Sequence, residues 1–161
     1  GVRILESEML VGSLRAADMQ CFHFAPQAVA SAVADKGKIV IAYALHVQCA
    51  WRICGAGGIV VASNDRYYPA GDPDQIDEQF KWDEPNANRC DERVGEFMAR
   101  FGPLQVEGVT GDEVGGLRLR LEKHFVLEVF PDDSMKGEHW RLFRPRAKPH
   151  FVQYGREFEW G

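Results

Sequence analysis

The chain has 161 residues, of which 45% are hydrophobic and 27% charged, and a formal net charge of −5. This length and composition are typical of one globular domain with a substantial core, which excludes extensive disorder. The acidic balance and the absence of Lys and Arg runs argue against nucleic-acid binding and favour a basic partner. No segment approaches the roughly 20 consecutive apolar residues that span a bilayer, and the first residues do not resemble an export signal. We therefore expect a cytoplasmic protein without membrane association.

The first half of the chain has the pattern of antiparallel strands. Residues 9–14 and 19–24 predict two strands joined by a short turn. Residues 25–36 are interpreted as a loop or a short helix that ends at Gly37. Residues 39–53 carry the strongest strand signal, because apolar and polar residues alternate along the whole segment. This long strand is predicted to form a hairpin with residues 59–62.

The second half begins with a connection and a helix. Residues 68–88 contain three prolines and many acids, which predicts a long surface loop. Residues 89–101 predict an amphipathic helix that Asn88 caps and Gly102 and Pro103 end. Further strands are predicted at residues 104–109, 117–121, 125–130, 140–143 and 150–154. The predicted fold class is α+β, mainly antiparallel sheet with one well-defined helix.

Two segments resemble each other. One strand contains Trp51-Arg52-Ile53 and another contains Trp140-Arg141-Leu142. A repeated supersecondary unit explains this likeness and predicts a single domain over residues 1–161, built from related halves at about 8–68 and 103–154. The long loop and the helix would join the halves. Chance similarity of a short string is the alternative.

The four cysteines are interpreted as reduced thiols, because a chain with a good core and no export signal does not need disulfides. Zinc requires three or four ligands in a tetrahedral array. Cys21, His23, His46 and Cys54 could meet across neighbouring strands, but no C-x-x-C spacing supports them. We predict neither a metal nor a cofactor.

The two Trp-Arg pairs are the sharpest candidates for ligand binding. An arginine on the strand face opposite a buried Trp can stack on aromatic rings or bind a carboxylate with two hydrogen bonds. If Arg52 and Arg141 converge, they form an anion-binding cleft between the halves. In the structural alternative, each Trp anchors the core and each Arg forms an ion pair at the sheet rim.

Other polar residues could complete such a cleft. The segment of residues 131–139 contributes Asp132 and Glu138 before Trp140, although Asp, Ser and Gly are also ordinary turn residues. His46 and His150 each lie on or beside a predicted strand. The predicted ligand-binding residues are therefore His46, Arg52, Asp132, Glu138, Arg141 and His150. No catalytic residue is predicted, because the chain contains no G-x-S-x-G elbow, no Ser-His-Asp order and no phosphate-binding glycine loop.

Several strings resemble a family of uncharacterised bacterial proteins of about this length. They are residues 44–53 (ALHVQCAWRI) with 59–65, residues 127–134 (LEVFPDDS), and Glu138 followed by Trp140-Arg141-Leu142-Phe143 and His150-Phe151-Val152. The chain departs from the family pattern at Ala50, where Pro is expected, and in the Ala-rich segment after Phe24. The resemblance implies an accessory bacterial protein, of the kind carried in mobile gene cassettes or acting as the immunity partner of a toxin.

Two functions follow as expectations. The first is an immunity-like interaction protein whose acidic surface binds a protein partner. The second is a protein that binds a small anionic ligand, or an enzyme, with its site in the cleft between the halves. A homodimer is also expected, because open antiparallel sheets have edges that must be paired or covered.

Overall fold

The structure is a computed structural model that describes residues 1–33, 40–148, 150–156 and 158–160. Its helices are α1 (Gln27–Val33) and α2 (Arg89–Phe101), with short 3-10 turns at Val2–Leu5, Ser63–Tyr67 and Glu122–His124. The strands of the described residues are β1 (Met9–Ala16), β2 (Met19–Ala25), β3 (Tyr43–Val47), β4 (Ala50–Gly55), β5 (Gly58–Ala62), β6 (Leu104–Gly111), β7 (Leu117–Leu121), β8 (Val126–Phe130), β9 (Glu138–Phe143) and β10 (Phe151–Tyr154). The predicted α+β class is confirmed.

The strands follow one another in the order β10-β9-β3-β2-β1-β6-β7-β8-β4-β5, and every neighbouring pair is antiparallel. Strands β1 and β6 share only two registered pairs, Met9 with Gln105 and Leu10 with Leu104. This narrow joint divides the sheet into layer A (β10-β9-β3-β2-β1) and layer B (β6-β7-β8-β4-β5). The inner faces of both layers contribute to one hydrophobic core.

The strand order is symmetric about the β1–β6 joint. Outward from this joint, the strands of layer A are β1, β2 and β3, followed by the hairpin of β9 and β10. Outward in the other direction, the strands of layer B are β6, β7 and β8, followed by the hairpin of β4 and β5. Each layer is thus completed by a hairpin from the other half of the chain. Strands β1 and β6 each shift register near their start, between Leu10 and Gly12 and between Val106 and Gly108. Two related units that exchange their last two strands would give this order; the predicted repeat itself stays a prediction.

The tryptophans of the two similar segments pack between the layers. Trp51 of β4 meets Phe22 of β2 edge to face, with ring centroids 5.1 Å apart. Trp140 of β9 donates a hydrogen bond from Nε1 to the carbonyl oxygen of Gly115, in the turn between β6 and β7, at 2.7 Å. Both side chains are 2% exposed. Each tryptophan therefore fastens an exchanged strand to the opposite layer.

One strand prediction is wrong. The sequence predicts a single strand over residues 39–53, of which Ile39 lies outside the described residues, but β3 ends at Val47 and β4 begins at Ala50 in the other layer. The alternation continues across the break because both strands turn their odd-numbered residues to the shared core. The expected hairpin with β5 is formed by β4 alone. Strand β7 and helix α2 have the predicted bounds, and α1 lies inside the predicted 25–36 segment, of which residues 34–36 lie outside the described residues together with Gly37.

Helix α2 forms where the sequence predicts it, for local reasons. The Asn88 side chain accepts a hydrogen bond from the Asp91 backbone N–H at 2.8 Å, which satisfies one of the unpaired donors of the first turn. Cys90, Val94 and Phe97 form the buried face that joins the core. The helix thereby holds the end of the long loop that precedes it.

Candidate functional site

Each layer has an outer face that points away from the core, and its residues can be read from the strand register. In layer A the neighbouring residues Leu14, Cys21, His46, Arg141 and Val152 form one row across five strands, here called row A. In layer B the corresponding row, row B, consists of Thr110, Arg118, Glu128, Arg52 and Ala62. The arginines of the two Trp-Arg pairs occupy the same place in the two rows.

Row B is an ion-pair ladder. Glu128 lies between two arginines, with Arg52 Nη2 3.2 Å from one carboxylate oxygen and Arg118 Nη1 3.7 Å from the other. Arg52 also lies over the ring of Phe130, 5.0 Å from its centroid. Glu128 is therefore shared between two arginines, and Arg52 has the ion pair that the structural alternative describes.

In row A the arginine forms its ion pair along its own strand. Glu138 binds Arg141 with two hydrogen bonds, from Nε at 3.0 Å and from Nη2 at 2.5 Å. The Nη1 atom of Arg141 lies 3.3 Å from Nδ1 of His150, in the segment that precedes β10. Because a guanidinium can only donate, this contact assigns the acceptor role to Nδ1 and leaves the proton of neutral His150 on Nε2. Glu138 thus positions Arg141, and Arg141 orients His150.

Aromatic contacts connect this chain of polar groups to the rest of the face. The His150 ring stacks on Phe143, with centroids 4.8 Å apart, and Phe143 meets His46 edge to face at 4.7 Å. Burial lowers the pKa of His46, and the nearby charge of His23 lowers that pKa further. Burial also lowers the pKa of His23. Both imidazoles are therefore neutral donors and acceptors near pH 7.

The structure brings together four of the six predicted ligand-binding residues, His46, Glu138, Arg141 and His150. It does not bring Arg52 to them. Arg52 alternates with the core residues Trp51 and Ile53 of layer B, so its side chain lies on the opposite outer face from Arg141.

Asp132 lies at the crossing between the layers. It is exposed, and its Oδ1 accepts a hydrogen bond from the backbone N–H of Ala50 at 3.3 Å. This bond holds the start of β4. Within the described part of the chain, no group of three or more His, Cys, Asp or Glu side chains could hold a metal ion.

A second surface stands out by its charge. Residues 70–88, here called the acidic loop, contain six carboxylates and a single basic residue, Lys81. Their formal charge of −5 equals that of the entire chain, so the remaining residues are neutral in sum. All six carboxylate residues are exposed, as is Ile76 between them, with 58% of its surface accessible. The loop therefore presents concentrated negative charge around an apolar side chain.

The acidic loop is fastened at both ends. Glu92 of α2 accepts hydrogen bonds from the Gly71 N–H at 3.0 and 3.2 Å. Asp91 binds Arg15 of β1 through two hydrogen bonds of 2.8 and 2.9 Å, and both side chains are nearly buried. Asp91 also accepts from the Asn86 N–H at 2.9 Å. Such anchoring keeps the exposed carboxylates in a defined arrangement, which lowers the entropy lost on binding.

Trp82 anchors the acidic loop through contacts with aromatic and arginine side chains. Its ring lies 5.6 Å from that of Tyr67, and the guanidinium groups of Arg15 and Arg66 lie over it at 5.9 and 6.0 Å. Sequence reasoning predicted the loop but not this support. The register shift between Leu10 and Gly12 places Arg15 on the core side of β1, an unusual place for a charge. Unbroken alternation from the buried Leu10 would place Arg15 outside, so the sequence pattern gave no signal of this buried ion pair.

Comparisons with known proteins do not place the chain in a family: no protein-family model matches it, and no curated protein or solved structure matches it at a significant level. Among the helices of the described residues, none has the length and apolar content to cross a bilayer.

Proposed function

We propose that this protein is an interaction protein whose acidic loop binds the cationic surface of a partner protein. The observation that carries the proposal is the location of the charge: the whole formal net charge of −5 lies in one anchored, exposed loop. A charged surface of this kind accelerates association with a partner of opposite charge and excludes partners of like charge.

The contacts within the loop support a surface made for binding. Asp72 and Asp77 each use one carboxylate oxygen to accept backbone N–H groups of the loop itself, from Asp74 at 3.0 Å and from Gln79 at 2.8 Å. These hydrogen bonds stabilise the conformation of the loop and leave the carboxylates negatively charged. The exposed Ile76 and Tyr68 supply the apolar contact that a specific interface needs at its centre.

The narrower form of the proposal concerns the partner's own activity. Proteins that act on nucleic acids carry cationic surfaces that neutralise phosphates. An anchored row of carboxylates can occupy such a surface in place of the nucleic acid, which is how an immunity protein would block a toxin nuclease. The resemblance to immunity-type accessory proteins favours a toxin as the partner.

Affinity capture with a matched pair of variants tests the proposal. The loop variant carries Asp72→Asn, Asp74→Asn, Asp77→Asn and Glu78→Gln, which retain the side-chain oxygens that accept hydrogen bonds. The control variant carries Glu107→Gln, Glu113→Gln, Glu122→Gln and Asp133→Asn, and therefore has the same net charge as the loop variant. Each protein is immobilised and exposed to a lysate of the organism that carries the gene.

We expect the wild type and the control variant to retain the same cationic protein, and the loop variant to retain at most about one tenth as much of it. The reason is that each well-placed charge pair at an interface contributes of the order of 1 kcal/mol or more. Salt should weaken the interaction. A partner retained equally by all three proteins, or lost equally by both variants, would contradict the role of the loop. Release of the captured partner by added duplex DNA or RNA would support the narrower form, whereas indifference to both would exclude it.

A further inference from the structure

A cavity of about 410 Å³ lies at the edge of layer A, between the first strand residue of β3 and the connection that joins β9 to β10. Its volume falls within the range of small-molecule sites, roughly 300–1,000 Å³. The cavity lies at the opposite end of layer A from the acidic loop. Tyr43, which lines it, is in register with Phe24 at the far end of β2. Arg15, which anchors the loop, pairs with Gln20 near the other end of that strand.

The described lining of the cavity has basic side chains and no carboxylate, although the protein is negatively charged overall, and the carboxyl group of Glu8 lies close enough to sense the charge of Arg144. Arg144, Lys148 and His150 line it, and no acidic side chain of the described residues does. Since the chain carries 24 Asp and Glu residues against 19 Lys and Arg residues, a concave site lined by Arg144 and Lys148 and by no carboxylate of the described residues departs from the average of the chain. Such a site attracts anions and raises their local concentration.

Two of the basic groups are held in place before any ligand binds. Arg144 donates from Nη2 to the hydroxyl oxygen of Tyr43 at 2.8 Å, and its guanidinium lies 5.2 Å from the centroid of the same ring. The His150 ring stacks on Phe143, and its Nδ1 accepts a hydrogen bond from Arg141. The hydrogen-bond donor of the His150 ring is therefore Nε2–H. A planar guanidinium and a fixed N–H donor in the lining of one cavity suit a carboxylate, which accepts hydrogen bonds in its own plane.

The rest of the lining is apolar and partly uncovered. Phe151 and Ile4 remain 47% and 45% exposed, and Leu142 and Phe143 complete the wall. Aromatic and aliphatic groups around a few placed donors are the usual composition of a small-molecule site. They would bury the body of a ligand while the donors hold its charged end.

From this geometry we propose that the cavity binds a small organic carboxylate with a flat apolar body. Arg144 and His150 hold the carboxylate, Lys148 adds a screened charge, and the body lies against Phe143 and Phe151. The Glu138–Arg141 ion pair acts as a positioning element, because it orients the His150 ring. The proposal does not depend on the acidic loop or on the function proposed for it.

Binding is measured by two-dimensional NMR of the isotope-labelled full chain, titrated with pairs of probes that differ only in charge. The pairs are benzoate with benzamide, and indole-3-acetate with indole-3-acetamide; phenyl phosphate tests whether phosphate is accepted equally. We expect the carboxylates to shift the resonances of Tyr43, His150 and Phe151 saturably, and the amides to bind at least about tenfold more weakly, since a charged hydrogen bond contributes about 1.5–3 kcal/mol.

Variants assign the effect to this cavity. Arg144→Gln should weaken carboxylate binding about tenfold or more, and Glu138→Gln should weaken it to a smaller extent through His150. Arg146→Gln is the matched control, because Arg146 is an exposed arginine of the same connection that does not line the cavity. If Arg144→Gln disturbs folding, Lys148→Gln provides a second test at an exposed position, with an expected twofold to fivefold loss from one screened surface charge, about 0.5–1 kcal/mol.

The outcomes separate the alternatives. Equal binding of carboxylate and amide would overturn the proposal, because the basic groups would then have no role. Saturable shifts that Arg146→Gln and Arg144→Gln reduce equally would show a diffuse charge effect and also overturn it. Tighter binding of phenyl phosphate than of any carboxylate would replace the ligand class by phosphate monoesters. No saturable shift with any probe would exclude the site.

Discussion

On the outer face of layer B, Arg52 forms its ion pair with Glu128, the residue opposite it on the neighbouring strand. On the outer face of layer A, the corresponding Arg141 faces His46 instead and takes its carboxylate from Glu138 on its own strand. The Nη1 atom of Arg141 thereby remains available for His150. An arginine that shares a carboxylate with a neighbour in a ladder stabilises the sheet, whereas one that is held along its own strand can orient a further group.

The environment of each arginine shows the same contrast. Arg52 lies between a carboxylate and the ring of Phe130, in a row that also contains Arg118. Arg141 lies among imidazoles and aromatic rings, beside a cavity without acidic lining in the described residues. The same Trp-Arg string therefore contributes to packing in layer B and, in our proposal, supports a ligand site in layer A.

The largest expected effect tests whether the two tryptophans are equivalent anchors. Trp51→Ala and Trp140→Ala should each lower the free energy of unfolding by about 3–5 kcal/mol, because a buried Trp is replaced by a cavity. Trp140→Phe should cost about 1 kcal/mol more than Trp51→Phe, since it also leaves the Gly115 carbonyl without its donor. Urea unfolding of the four variants measures this. Equal costs for the two Phe variants would show that the hydrogen bond of Trp140 does not matter.

A smaller effect is expected from the carboxylates. Glu138→Gln should lower the free energy of unfolding by about 1 kcal/mol, because it weakens a two-bond pair in which Arg141 is only one-third exposed. Glu128→Gln should cost less, about 0.5 kcal/mol, since Arg52 and Arg118 are 41% and 56% exposed. The decisive readout is the His150 imidazole resonance, which should move in Glu138→Gln and stay in Glu128→Gln. Movement in both would contradict the division between the faces.

The histidines of layer A predict that stability depends on pH. The pKa values of His23 and His46 are lowered in the folded state, so the unfolded chain binds more protons at these positions. Stability should therefore be fully present above the unfolded pKa, near 6.5, and should fall as the pH drops toward the folded values. His46→Gln should flatten this part of the profile in thermal unfolding. If stability falls with pH equally steeply in His46→Gln and in the wild type, His46 does not cause the pH dependence.

The smallest expected effect is on thiol reactivity and leaves stability unchanged. Burial raises the pKa of Cys49 and of Cys90 to about 12, so both should stay protonated and unreactive at neutral pH. Cys54, on the outer face of layer B, is partly exposed and should be alkylated first. Mass spectrometry of iodoacetamide-treated protein gives the order. Early labelling of Cys49 or Cys90 would mean that the core opens readily.

Local features of the fold could be predicted from the sequence, and long-range ones could not. Helix α2 follows from its cap and its apolar spacing, and β7 follows from the alternation of leucine and arginine. The break at Gln48 and Cys49 was missed because both β3 and β4 bury their odd-numbered residues. Alternation of apolar and polar residues indicates which face of a strand is buried, but it does not indicate which strand lies beside it. For the same reason, the meeting of His46 with Arg141 could be expected only as a hypothesis, since it depends on the β3–β9 pairing.

The exchange of strands between the layers also constrains how the protein can be made and divided. A chain synthesised as far as the end of β5 has neither the β9 neighbour that β3 requires nor the β8 neighbour that β4 requires. Both edges stay open until the second half emerges, and the pairings then formed close long loops, which slows folding. A backbone cut in the acidic loop would leave two fragments that each complete the other's sheet. We expect such fragments to remain unfolded alone and to regain structure only when mixed.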